Sequence, residues 1–296
     1  MKTAIILPAR NEGAEVALTI ESVKDEFDSI CVVDDSSQDG SCDSLPGHVD
    51  LVRNRAVQGP AFCRNQAFLY DVDCFVFADA HIRQHQGSLR QLCETALEKN
   101  AIMNASVMPL EGKRQWVGNG GRMTFDGECI DIKYNMGMSD GIGRVGGLIG
   151  ACYAIPSNIF RHLGGWPETV SWGYNEQALT IAAAMMGVPM YCDPSMIIKH
   201  KFKKVFNYSL RKTDTLVNRW LVHYLFFSEA TWRGYWEPIF RAKHPERTIR
   251  CARKLLKTQA VIDARAKIQA KKVIDDDQFF KLLESGGFAA NRGLDS

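Results

Sequence analysis

The sequence predicts an α/β fold built on a mostly parallel sheet flanked by helices, and three observations carry that expectation. Through the first hundred residues, short apolar runs alternate with segments of helical periodicity, the pattern of strands joined by crossover helices. Two of these runs stop on acidic residues, at Asp34-Asp35 and at Asp79, where the carboxyl ends of parallel strands present ligand-binding groups. The chain is also long enough, at 296 residues with 46% hydrophobic and 24% charged, to bury a large core.

The elements follow in order. Thr3 to Leu7 (TAIIL) forms a buried strand, and Gly13 to Lys24 a helix with Val16, Ile20 and Val23 on its apolar positions. Ile30 to Val33 is a second strand, Leu51-Val52 a short third, Pro60 to Tyr70 a helix, and Cys74 to Ala78 a fourth strand. A helix over Ser88 to Lys99 and a strand over Ala101 to Val107 complete the alternation. The glycine-rich middle, 109–147, lacks clear periodicity and reads as acceptor-side loops with one hairpin around Glu128 to Tyr134. Its Gly141-Ile-Gly143-Arg-Val-Gly146 has the spacing of a dinucleotide fingerprint, but a loop precedes it and the strand-like LIGACYAIP follows. A flexible loop beside the substrate fits better, since glycine lets the backbone approach closely. Beyond Lys201 the chain turns helical and basic.

Composition excludes several classes. The longest charge-poor apolar stretch, Gln177 to Tyr191, is too short and too interrupted by Gly187 and Pro189 to span a bilayer. The N-terminal MKTAIILPARNEG lacks a signal-peptide pattern, so a cytoplasmic location is expected. Nine scattered cysteines without a CxxC pair indicate neither a disulfide framework nor a zinc ribbon.

Four segments carry the chemistry: Ile6-Leu-Pro-Ala-Arg-Asn-Glu12, Val32-Val-Asp-Asp-Ser-Ser-Gln-Asp-Gly40, Ala61-Phe-Cys-Arg-Asn65 leading to Phe77-Ala-Asp-Ala-His81, and Leu163-Gly-Gly-Trp166 leading to Trp172-Gly-Tyr-Asn-Glu176. In this order they resemble the nucleotide-sugar glycosyltransferases of the GT-A fold, family 2 and the related polypeptide N-acetylgalactosaminyltransferases. The resemblance spans residues 3 to about 203 and implies a catalytic domain over 1–203, followed by a basic helical extension over 204–296. It implies a nucleotide-sugar donor, with UDP favoured, whose nucleoside meets Asp34 and Asp35 beside a wall of Pro8, Ala9, Asn11 and Glu12. Arg64 matches the position whose guanidinium approaches the diphosphate, a role suited to its planar fork.

Asp79-Ala-His81 follows the Asp-x-His form of the metal motif, and residues i and i+2 of an extended stretch face one side. With His200, after the Cys-containing run Tyr191 to Lys199, the resemblance implies a divalent-metal site, Mn²⁺ in preference to Mg²⁺ because of the imidazoles. Trp172, Asn175 and Glu176 occupy the catalytic box, which departs from the family pattern by carrying Asn175 at its first acidic position. Glu176 is the candidate general base, an assignment that leaves inverting and retaining chemistry both open. Trp166 either stacks on the donor sugar or fills the core.

The acceptor is addressed by charge. Residues 201–272 contain 18 Lys and Arg against five Asp and Glu, whereas residues 1–200 contain 16 against 24. That imbalance implies an acidic partner, a nucleic acid or an anionic membrane face. The interleaved Phe206, Tyr208, Trp220, Tyr224, Trp232, Tyr235 and Trp236 are either base-stacking surfaces or core. A hydroxymethylated base in DNA, as in enzymes that hypermodify phage genomes, is one acceptor consistent with this. Lipid-linked, polysaccharide and peptide acceptors are others, and a catalytically inactive nucleotide-sugar-binding module is the non-enzymatic alternative.

Overall fold

The first strand shows how this sequence makes a sheet that is dry on both faces. Successive side chains of a strand point to opposite sides, so in β1 (Thr3–Ala9) Ala4 and Ile6 enter one apolar cluster while Ile5, Leu7 and Ala9 enter another. The computed structural model describes residues 1–112, 116–136, 141–167, 172–203 and 205–284. The acceptor loops expected over 109–147 and the extension expected over 204–296 therefore fall partly outside the described residues.

After β1 come α1 (Glu15–Val23), β2 (Ser29–Asp34), β3 (Val49–Arg53), α2 (Pro60–Asn65) with a 3₁₀ turn (Gln66–Leu69), and β4 (Cys74–Ala78). Then follow β5 (Ile82–Gln86), α3 (Leu89–Lys99), β6 (Ile102–Pro109), β7 (Gly118–Phe125), β8 (Ile130–Met136), β9 (Gly143–Arg144) and β10 (Cys152–Pro156). The remainder is α4 (Ser157–Leu163), α5 (Asn175–Met185), β11 (Met190–His200), α6 (Lys212–Phe226), α7 (Glu229–Thr231), a π-helical turn (Trp232–Trp236), α8 (Glu237–Lys243), α9 (Glu246–Leu256), α10 (Gln259–Lys271) and α11 (Asp276–Glu284).

The sheet runs β3-β2-β1-β4-β10-β6-β11-β5. Strands β1 to β4 are parallel where they pair, as are β6 and β11, and β10 enters antiparallel between the two halves. Helices α1 and α3 cover one face through Val16, Ile20, Val23, Leu89, Leu92 and Ala96. The other face meets α2, α4 and α5, and the helices beyond Lys203 share the same apolar cluster with Phe77 and Leu179.

That sharing decides the fate of the C-terminal aromatics. Trp220, Trp236, Phe226, Phe240 and Phe279 are at most 1% exposed and Trp232 is 4% exposed, so they complete the core and are not available as stacking surfaces. Burying such rings is what holds a helical segment this basic against the sheet.

The glycine-rich middle is more ordered than its composition suggested. The hairpin is longer than expected, with β7 and β8 as arms and Asp126 Oδ1 accepting the backbone N–H groups of Glu128 and Cys129 in the turn, each at 2.8 Å. Gly120 has φ +64°, and a Cβ there would come 2.8 Å from Val145, so the glycines of β7 serve close packing and hide a strand from propensity. The loop at Gly141 to Gly146 does not line the cavity at the carboxyl ends of the strands. Gly143-Arg144 pairs antiparallel with β11, Val145 and Leu148 are buried in the core, and no helix follows. Strand β5 also lay beyond the sequence pattern, because IRQHQ offers one apolar residue in five. It forms because Ile82 is fully buried and its backbone pairs with β11.

Among the described residues, no helix is long and apolar enough to cross a membrane.

Candidate active site

The ends of β4, β5 and β11 assemble the central cluster. β4 stops at Ala78, and Asp79 is fixed there by its N–H, which donates to the Ala151 carbonyl at 3.1 Å. The chain then turns through Ala80-His81 and crosses to the far side of the sheet as β5, so Asp79 and His81 do not lie on one extended ladder as expected. What joins them is pairing of β5 with β11 in a register that sets His200 opposite Ile82, with the Lys201 N–H donating to the His81 carbonyl at 3.1 Å. The His81 and His200 rings are then 4.8 Å apart between centroids. His200 Nε2 lies 3.1 Å and His81 Nε2 3.9 Å from Asp79 Oδ2.

One carboxylate and two imidazoles, their ligand atoms all within 4.8 Å of one another, form a donor set that suits a divalent transition metal. His200 Nδ1 is buried without a hydrogen-bond partner among the described residues, and His81 Nδ1 is held at 3.1 Å by Glu12 Oε2. That carboxylate–histidine contact fixes the ring so that Nε2 faces Asp79, the arrangement that orients metal-ligating histidines. Glu12 itself sits between His81 and Lys203. Burial alone would raise the Glu12 pKa, but the hydrogen bonds and charges of His81 and Lys203 outweigh it and hold the carboxyl below its ordinary value. Asp79 follows the same logic. Burial is opposed by the His200 hydrogen bond and by the charges of His81, His200 and Arg64, and the pKa falls to about 2.

Arg64 stands beneath this cluster. It is 3% exposed, donates from Nη1 to Glu176 Oε1 at 2.7 Å and approaches Asp79 Oδ1 with Nη2 at 3.4 Å. The guanidinium therefore ties Glu176 to Asp79. Burial would lower its pKa, but Tyr153, Glu176 and Asp79 together outweigh burial and the pKa is raised. Glu176 enters from the first turn of α5, which begins after Tyr174 in a left-handed conformation with φ 68°. A Cβ at residue 150 would lie 2.8 Å from the Glu176 carboxylate, so a glycine there lets the side chain sit this deep.

Most of the predicted site residues line one cavity of about 510 Å³. Its lining includes Pro8, Ala9, Glu12, Asp35 and Arg64, the cluster of Asp79, His81 and His200, and Trp172, Asn175 and Glu176. Three others are placed elsewhere. Asp34 turns away and closes its own loop, accepting from the Ser37 N–H at 2.8 Å and from Arg53 Nη1 at 2.9 Å. Asn11, at φ 51°, pins its loop instead, accepting from the Gln38 N–H at 2.8 Å. Trp166 is 2% exposed, in edge contact with Phe77, its backbone N–H held by Asn65 Oδ1 at 2.9 Å, so it fills the core. Asp35 faces the cavity while its carboxylate accepts from Asn54 Nδ2 and from the N–H groups of Gln58 and Gly59, which anchors the turn into α2.

Residues 4–137 match the glycosyl transferase family 2 profile. Over these residues, just under half of its length, the chain is similar to the family 2 glycosyltransferases. A crystal structure of GalNAc-T7 with UDP, GalNAc and Mn²⁺ matches with a TM-score of 0.73 at 14% identity, over 96% of this chain and 57% of that one. At this identity the likeness is one of fold, GT-A, and the chain spans less than two thirds of that protein's length. Two structures of TarS from S. aureus, one of them of residues 1–349, match with TM-scores of 0.49 and 0.48 at 14% and 15% identity. Both cover 96% of this chain, and 55% and 91% of their own. Among curated proteins, none matches by sequence.

Further residues that were not among the expected site residues line the same cavity. Lys203, Phe206 and Tyr208 come from the segment after β11, Thr215 and Arg219 from α6, and Arg10 from the loop after β1, where its guanidinium lies 4.4 Å from the Tyr208 ring centroid. Arg219 is held by Glu128, which also accepts from His244 Nε2 at 2.6 Å. Lys203 had a signal, three residues beyond a proposed ligand; Arg10 lies inside the Ile6–Glu12 segment, and Phe206 and Tyr208 were among the aromatics open to either a stacking or a core role. Thr215 and Arg219 reach the cavity through tertiary packing alone.

Proposed function

We propose that the protein transfers a sugar from a nucleotide-diphosphate sugar, a UDP-sugar in preference to others, to an acceptor hydroxyl. In this reading Asp79, His81 and His200 hold a divalent cation, Mn²⁺ before Mg²⁺. The observation that carries it is that this donor set, Asp35 and the arginine-held Glu176 line one cavity of about 510 Å³ at the carboxyl ends of the strands. The GalNAc-T7 structure contains UDP, GalNAc and Mn²⁺, which supports the donor and the metal. When bound, the cation supplies charge neutralisation for the departing diphosphate.

The remaining roles belong to side chains. Asp35 accepts an N–H of the base, and Pro8 and Ala9 wall the nucleoside. Arg64 holds Glu176 Oε1 at 2.7 Å, and the other carboxylate oxygen takes the acceptor hydroxyl proton as the new glycosidic bond forms. Trp172 and Asn175 position the acceptor beside it.

The acceptor is a hydroxymethylated base in DNA. Partly exposed Tyr134, Trp172, Phe206 and Tyr208 line the same cavity and offer flat faces to a base extruded from its stack.

A panel of UDP- and GDP-sugars, assayed for Mn²⁺-dependent hydrolysis and for transfer to hydroxymethylated duplex DNA, tests the reading. Asp79→Ala is expected to reduce turnover on the order of 10³-fold through loss of the metal's charge stabilisation. Full metal-dependent activity in that variant, or no cleavage of any nucleotide sugar by the wild type, would remove the proposal.

A further inference from the structure

Outside the cavity, the strongest charged feature is the outer side of α8 and α9. From Arg241 to Lys257 the chain carries seven Lys and Arg against Glu246 alone. Arg253 pairs with Glu237, whereas Arg247, Arg250, Lys254 and Lys257 are exposed and have no ion-pair partner among the described residues. At 100° per residue these four fall within about 80° of one another, a stripe about 15 Å long. Thr248, Ile249, Ala252 and Leu256 are buried on the opposite side of α9, which packs on α6.

The arrangement discriminates between polyanions. A helix that lies in a membrane interface turns its apolar face to lipid beside a basic flank. Here the apolar face is spent on the core and the outward face is cationic without apolar companions. Such a row suits the phosphates of a polynucleotide, which need charge and no insertion. Its position is also appropriate. Thr215 and Arg219 of α6 line the cavity and α9 packs on α6, so α9 lies one helix beyond the cavity wall with the stripe on its outward side.

We propose that the α9 stripe binds the phosphate backbone of the acceptor duplex and sets its position over the cavity without reading its sequence. This rests on the reading of the acceptor as DNA. Duplex binding by the full chain, measured by fluorescence anisotropy across a salt series, tests it. Each lost phosphate contact lowers the log–log salt slope by about 0.9, so R247Q/R250Q/K254Q/K257Q is expected to flatten the slope by about 3 to 4. Affinity should also fall at least about tenfold at 0.15 M salt. The double variant R247Q/R250Q should give about half the change in slope, and UDP-sugar hydrolysis should be unchanged in both. If the wild type binds duplex DNA and the quadruple variant keeps its slope and affinity, the stripe is not the docking surface while the DNA acceptor survives. If the wild type ignores duplex DNA yet binds phosphatidylcholine–phosphatidylglycerol vesicles through the same four residues, both the nucleic-acid assignment and the DNA acceptor fall.

Discussion

The cavity and the outer side of α9 both concentrate charge, and they treat it in opposite ways. Inside, each carboxylate is answered: Glu12 by His81 and Lys203, Asp35 by three amide groups, Asp79 and Glu176 by Arg64. On α9, four cations in a row have no answering acid among the described residues. Water accounts for the difference. An exposed cation is solvated and screened within about 8 Å at physiological salt, whereas a charge withdrawn from water destabilises the fold unless it is paired. The pairing inside belongs to the fold as much as to chemistry, and the unpaired row outside is free to meet a polymer.

Interior charge should therefore be sensitive to protons and substitution, and exterior charge insensitive. The largest effect is expected at His223, which is fully buried behind Arg219. Its Nδ1 donates to the Arg219 carbonyl at 2.8 Å, and burial lowers its pKa to about 3; that hydrogen bond and the charge of Asp126 oppose the shift, while the charges of Arg219 and His244 add to it. The unfolded chain takes up this proton near the ordinary value of 6.5 and the folded site refuses it, so protons favour unfolding. Stability contributed by the neutral ring is complete above that value and is lost at roughly 1.4 kcal/mol per pH unit as the pH falls towards 3. Denaturant titrations at a series of pH values should show this slope in the wild type and a shallower one in His223→Gln.

Next comes Arg64→Met, which leaves Glu176 and Asp79 without their shared cation. A loss of about 3 kcal/mol is expected from urea unfolding of the metal-free protein. A variant as stable as the wild type would mean that the cavity solvates these carboxylates as freely as the surface does. Glu12→Gln is smaller. It weakens the orientation of His81 and should cost 10- to 100-fold in Mn²⁺ affinity, roughly the range for outer-shell partners of metal ligands, measured by calorimetric titration of the protein without donor. The smallest effect on stability belongs to R247Q/R250Q/K254Q/K257Q, which should leave unfolding within about 0.5 kcal/mol of the wild type despite the loss of four charges.

Legibility of the fold followed burial. Strands β1, β2, β4 and β6 were visible because a strand covered on both faces must be apolar throughout, as in CFVFA. Strand β5 was invisible because its partner supplies what its composition lacks, and β7 because its glycines serve contacts with Val145 and Ile132. At the site, residue types at strand ends pointed to Asp35, Asp79 and His81. They could not separate Asp35 from Asp34, since neighbours on a strand differ only in the side they face, and that side is set by which loop closes over it. Trp166 was ambiguous for a related reason. A tryptophan after two glycines suits a sugar platform or a core, and contact with Phe77 and Asn65 decided for the core.

The sequence by itself determined the alternation of strands and helices, the acidic strand ends, the supply of metal-type ligands at Asp79, His81 and His200, and the excess of cations after residue 200. These are local properties, written in periodicity and residue type. Only the tertiary structure decided that β5 would cross to β11 and bring His81 beside His200, that Arg64 would join Asp79 to Glu176, and that Trp220, Trp232 and Trp236 would turn inward and leave α9 with a bare cationic face. Those outcomes depend on partners far apart in the chain, and no local pattern specifies which distant surface a residue will meet.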